Sequence, residues 1–98
     1  MKDDMAKRPR INSDHELRSL CNVGPATLGD LLSLGITSIA QLATCDPEQL
    51  FRELEQVSGH QQNICMLDLF HAIVHEAQAG ERRSWSYYSK LRRSKEIL

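Results

Sequence analysis

Apolar residues recur along this chain at three- and four-residue spacing, with glycine and proline between the groups, which is the pattern of short amphipathic helices. Ser13 followed by Glu16 fits a capping box, with Leu17 and Leu20 as a short apolar stripe behind it. The stretch "LCNVGPATLGDLLSLGI" predicts a tight Asn-Val-Gly-Pro turn and then a helix opening at Pro25, where a missing N–H costs nothing. Leu28, Leu31 and Leu32 give that helix one buried face, and Gly35 suits the left-handed position just past its end. Thr37 or Ser38 then caps a short helix carrying Ile39, Leu42 and Ala43.

The clearest helix start is "CDPEQLFRELEQVSG", with Asp46 as cap, Pro47 as first helical residue and Gln49 in the capping-box position. Leu50, Leu54 and either Val57 or Phe51 face inward there, and Gly59 ends the helix. The longest helix is predicted over roughly Gln61 to Gln78, with Met66, Leu67, Phe70, Ile73, Val74 and Ala77 on one side and Gly80 as its stop. No stretch alternates with period two for long enough to make a strand. The expectation is an all-α fold, a compact bundle of about five helices followed by a basic aromatic C-terminal tail, "ERRSWSYYSKLRRSKEIL". It divides into a flexible N-terminal segment 1–12, a helical domain 13–80 and a partly docked tail 81–98.

The turn at residues 22–25 carries the candidate chemistry. "LRSLCNVGPATLGDLLSLGI" resembles the helix-hairpin-helix motif, usually Leu-x-x-Leu-Pro-Gly-Ile-Gly followed by a basic and a small residue. Leu17 and Leu20 match its first helix, Val23 its apolar plug, Gly24 its second glycine, and Leu31 with Gly35 and Ile36 the end of its second helix. Further on, Asp46, Pro47, Glu48, Leu50, Ser58, Gly59, Cys65, Phe70 and Trp85 extend the likeness. Together these residues make the chain similar to the bacterial pathogenicity-locus proteins, often described as mitomycin-resistance-like. That resemblance implies a helix-hairpin-helix fold and a DNA-binding or interaction module without an assigned enzymatic activity.

A glycine turn that opens a helix offers an anion both backbone N–H groups and the positive end of the helix dipole. Here the donors are Gly24, Ala26 and Thr27, the Thr27 hydroxyl lies beside them, and glycine at 24 leaves room for a phosphate. Asn22, Val23 and Pro25 are the structural residues of the hairpin. Asn22 replaces the motif's first glycine and is the side chain most tolerant of left-handed geometry. Pro25 lacks a donor, Ala26 stands where the motif often has lysine or arginine, and Asp30 follows one turn later.

Charge changes the picture. The net charge of −1 hides two basic ends around an acidic middle: residues 13–80 hold two basic side chains, Arg18 and Arg52, against nine acidic ones. Affinity for nucleic acid grows with the number of phosphates neutralised, so positive charge at the hairpin must come from the ends. Arg82, Arg83, Lys90, Arg92 and Arg93 are the candidate phosphate contacts, interleaved with Trp85, Tyr87 and Tyr88, whose rings can stack on unpaired bases. The competing reading docks Trp85 and Tyr88 on the helical core, and the aromatic tail of the resembled family points to docking for Trp85. The basic residues could equally meet the acidic core of a second copy, which leaves self-association open.

Other chemistry is thin. Asp68, His71 and His75 share one face of the long helix, and a His-x-x-x-His pair can hold zinc. That face lies opposite the Met66/Phe70/Ile73/Ala77 stripe, so a solvated polar face is the expectation, with no metal and no cofactor. Cys21, Cys45 and Cys65 form no Cys-x-x-Cys and read as reduced, partly buried thiols. No nucleophile triad or nucleotide-binding glycine loop stands out, so no enzyme is expected. No apolar run approaches the roughly 18 to 20 residues of a membrane span, and the N-terminus has no apolar leader, which points to a cytoplasmic protein. The reading is a non-enzymatic helix-hairpin-helix protein with sequence-independent DNA binding through the phosphate backbone, accessory to DNA repair, recombination or regulation. The alternative is a protein–protein adaptor that uses its acidic helical domain and binds no nucleic acid.

Overall fold

Proline and glycine mark the helix boundaries in the computed structural model of this chain, which describes residues 15–97. The N-terminal segment 1–12 and the Ser13 cap lie outside the described residues. A 3-10 turn at Glu16–Ser19 is followed by helices α1 (Pro25–Ser33), α2 (Ile39–Ala43), α3 (Pro47–Ser58), α4 (Ile64–Ala79) and α5 (Trp85–Ile97), with no strand among the described residues. The all-α fold is as expected, but five is reached differently. The Leu17/Leu20 stripe forms only the 3-10 turn, capped by the His15 ring nitrogen (Leu17 N–H to Nδ1, 3.1 Å), and the tail supplies the fifth helix.

Most of the predicted punctuation holds. α1 ends in a Schellman motif, with the Gly35 amide bonded to Leu32 O (3.0 Å) and the Ile36 amide to Leu31 O (2.9 Å). Gly35 has φ +84°, the left-handed region that an L side chain avoids. Ser38 rather than Thr37 caps α2, its hydroxyl accepting from the Gln41 amide at 3.0 Å. Gly59 and Gly80 end α3 and α4 with φ +80° and +76°. The capping box at Asp46 does not form: Asp46 holds the cap position without a side-chain bond, because Gln49 turns instead to Glu53 one turn on (3.0 Å). α4 begins three residues later than expected, at Ile64, because Asn63 caps it by accepting from the Cys65 amide at 2.9 Å.

The core gathers Leu17, Leu20 and Val23 from the N-terminal turn, Leu28 and Leu31 from α1, Ile36, Leu42 from α2, Leu50 and Leu54 from α3, and Phe70, Ile73 and Val74 from α4. Each such buried side chain contributes about 1.5–3 kcal/mol relative to exposure. α4 is the central element and packs against α2, α3 and α5. One open choice is settled here and one expectation fails. Of the two candidates to join Leu50 and Leu54, Phe51 packs on the core, and Val57, in the last turn of α3, is 59 % exposed. Asp68, expected in solvent, is 1 % exposed because α5 covers that face of α4.

Candidate nucleic-acid interface

The chain between the 3-10 turn and α1 is a tight corner. The Leu20 amide bonds to Leu17 O (3.2 Å) and the Val23 amide to Leu20 O (3.3 Å). Asn22 takes φ +76°, the left-handed geometry expected of the residue in place of a glycine. Val23 is buried in the core and fixes the corner from within. Gly24 caps α1 without a side-chain bond, and a Cβ built on it would meet nothing within 4 Å. The first helical bond runs from the Leu28 amide to Gly24 O (2.9 Å), so the amides of Ala26 and Thr27 stand ahead of it with no acceptor among the described residues. Pro25 and Ala26 are exposed, Thr27 is half-buried, and burial pushes the Asp30 carboxyl above its ordinary value.

This corner is tied to the start of the C-terminal helix. Asn22 Nδ2 donates to Arg83 O (2.8 Å), and Asn22 Oδ1 accepts from the Trp85 amide (3.2 Å). The Cys21 amide donates to Glu76 Oε1 (2.8 Å), and Arg82 reaches Ser19 O through Nη2 (3.1 Å) and Glu76 Oε2 through Nε (3.4 Å). The geometry thus brings the Arg82 side chain and the Arg83 backbone to a corner that has no basic residue of its own. A glycine at position 22 would keep the backbone turn and lose both side-chain ties. Glu76 was missed in the sequence because nothing in its spacing separates it from the surface acids around it. It is 8 % exposed and bonded on both carboxylate oxygens.

The five expected phosphate contacts fall into three groups. Arg82 is 62 % exposed along its side chain though paired with Glu76. Arg83 pairs with Glu81 (3.3 Å), and its guanidinium carbon lies 4.5 Å from the centre of the Tyr87 ring. Lys90 and Arg93 are exposed on α5 and meet no acid among the described residues. Arg92 differs: it grips Asp68 with Nε at 3.0 Å and Nη2 at 3.1 Å, a bidentate pair that supplies the counter-charge a buried carboxylate needs. Its guanidinium serves the fold, and it leaves the set of side chains offered to a ligand.

The aromatic residues also separate. Tyr88 is half-buried between His71 (ring centres 6.5 Å apart) and His75 (6.3 Å), and burial raises its hydroxyl above the ordinary value. Trp85, expected to dock, is 38 % exposed, and Tyr87 41 %. The inward side of α5 is formed instead by Tyr88, Ser89 and Arg92, with Ser89 2 % exposed. His75 Nε2 lies 2.9 Å from Glu81 Oε1, and this bond, with Arg83 beside it, holds the Glu81 carboxyl below its ordinary range. The Asp68/His71/His75 face is therefore occupied by α5 and its lead-in, and no three His, Cys, Asp or Glu among the described residues converge to hold a metal ion. A concavity of about 380 Å³ lies where α3, α4 and α5 meet, walled by Glu48, Leu67, His71, Tyr88 and Leu91, with the Asp68–Arg92 pair in its wall. The three thiols are unpaired and half-buried, and burial, then the nearby Glu53, pushes Cys45 up, away from reactivity. No helix among the described residues is long and apolar enough to cross a membrane.

Residues 10–94 match the model of the pathogenicity-locus family. Over 78 residues the chain is 32 % identical to the mitomycin resistance protein McrB of Streptomyces lavendulae, an alignment covering 80 % of this chain and 74 % of that relative. No solved structure matches it significantly.

Proposed function

This chain belongs to the pathogenicity-locus family, and from that premise we propose that it is a non-enzymatic, cytoplasmic helix-hairpin-helix protein that binds DNA through backbone phosphate without reading sequence. It serves as an accessory to DNA repair, recombination or regulation. The support for this reading is that Asn22 holds the Arg83 carbonyl and the Trp85 amide, and Arg82 reaches Ser19 and Glu76, so the basic lead-in to α5 adjoins the corner whose Ala26 and Thr27 amides have no acceptor among the described residues. Free amides at a helix start favour an anion, and Lys90 and Arg93, exposed on α5 and meeting no acid among the described residues, add positive charge for a phosphate backbone.

The test is the salt dependence of binding by the intact chain, followed by polarisation of labelled DNA. Binding should weaken linearly on a log–log plot, and Lys90→Gln with Arg93→Gln should reduce the slope by roughly 1.4–1.8. An intact protein with no saturable binding at about 50 mM salt overturns the reading. A second reading, a protein–protein adaptor, is favoured by Val57 and Ile64, 59 % and 44 % exposed on either side of the α3–α4 connection. Absence of nucleic-acid binding would leave that surface as the functional one.

A further inference from the structure

We infer that the outward side of α5 takes single-stranded rather than duplex nucleic acid, an inference that rests on the nucleic-acid reading above and narrows its substrate. At about 100° per residue, Ser86, Lys90 and Arg93 form one stripe along α5, at spacings of four and three residues. In the first turn of α5, Trp85 lies about 100° to one side of that stripe, next to the inward-facing positions of Tyr88 and Ser89, and Tyr87 lies about 100° to the other. Both rings are large and keep part of their surface open, at 38 % and 41 % exposed. Aromatic rings left in water beside a row of cations are unfavourable for the isolated fold and suited to a partner with negative charge and flat apolar faces.

The environments of the two rings support this. Trp85 has its backbone fixed by Asn22, yet its indole makes no ring or cation contact among the described residues. Tyr87 has Arg83 over its face at 4.5 Å and the Tyr88 ring at 5.1 Å with planes 82° apart, so it is held in place while much of its surface stays open. Lys90 and Arg93 supply phosphate charge between them. Bases in a duplex are stacked on their neighbours and cannot lie on these rings, whereas an unpaired strand can turn its bases outward while its backbone follows the cations. Arg83 can stack on a base as well as on Tyr87, since a guanidinium plane has two faces.

Trp85 is the single tryptophan of the chain, so its emission reports directly on the site. Oligo-dT should quench it saturably, a polyphosphate of equal charge should not, and the single strand should bind about tenfold more tightly than a duplex of the same length. By polarisation of labelled oligo-dT, Trp85→Leu and Tyr87→Leu should each lose roughly tenfold in single-strand affinity, with duplex affinity unchanged and Trp85→Phe restoring most of the loss. Each variant's thermal midpoint, close to that of the parent, separates this from misfolding. Equal affinity for both forms, unchanged emission on binding, or equal quenching by polyphosphate overturns the inference and leaves the phosphate reading standing. Binding of neither form removes both.

Discussion

Asn22 and Trp85, 63 residues apart in sequence, are joined by a single bond in which the asparagine side-chain oxygen accepts the tryptophan backbone N–H at 3.2 Å. The same amide group donates to Arg83 O at 2.8 Å, so one side chain fixes the lead-in to α5 from both directions. Asn22→Gly preserves the left-handed backbone and removes both bonds. It should lower stability by about 1–3 kcal/mol. In a domain of this size that is a fall in thermal midpoint of roughly 4–8 °C per kcal/mol, and hydrogen exchange at the Trp85 amide should accelerate. An unchanged midpoint would mean that the tie is decorative.

Arg92 and Asp68 should behave as a structural pair. Removing one partner strands the other charge, so Asp68→Asn or Arg92→Leu alone should cost about 3–5 kcal/mol in urea denaturation. Replacing both with apolar residues of similar volume should recover most of the loss. If Arg92→Gln instead kept full stability and weakened DNA binding, the guanidinium would be serving a ligand.

Glu81 gives the fold a small acid sensitivity. Its carboxyl sits below its ordinary value of about 4.5 because it accepts from His75 and lies beside Arg83. A depressed carboxylate stabilises the fold fully above its unfolded value, and that contribution fades as pH falls through the folded one. Glu81→Gln should therefore lower stability at neutral pH and make no difference in strong acid. A stability gap between the two proteins that widened toward low pH would contradict this.

Gly24 and Gly35 separate fold from binding. Gly24 has φ −94° and open space where a Cβ would go, so Gly24→Ala should stay within about 0.5 kcal/mol of the parent. Gly35 is left-handed, and Gly35→Ala should cost about 1–2 kcal/mol. If phosphate meets the amides at the start of α1, Gly24→Ala should weaken DNA binding despite its intact midpoint, because the methyl group occupies the approach. Unchanged affinity would move the contact to the basic helix alone.

The parts legible in the sequence were those fixed by local covalent chemistry. Pro25 and Pro47 open helices, Gly35 and Gly59 close them, and Ser38 caps, because each effect acts within a few residues. What escaped was set by contacts across the chain. Asp68 reads as a surface residue until α5 is known to cover it, and α5 gives a weak signal because it packs through Ser89 and Arg92 rather than a hydrocarbon stripe. For the same reason Arg92 reads as an outward-facing cation and not as the partner of a buried carboxylate. The amide donors of Gly24, Ala26 and Thr27 could be named from sequence, but the approach of residues 82–85 to the corner depends on Glu76 and Asn22, whose partners lie more than fifty residues away.

Those distant partners also set an order of events in time. Ser19, Cys21 and Asn22 are tied to residues 55 to 63 positions further along the chain. Such contacts form only once a loop of that length has closed, whereas each helix winds on local contacts, and contacts of such separation slow folding. The corner at Asn22 therefore inherits its final shape from the last helix of the bundle, and the rate at which the N-terminal turn sets is governed by the arrival of the opposite end of the fold.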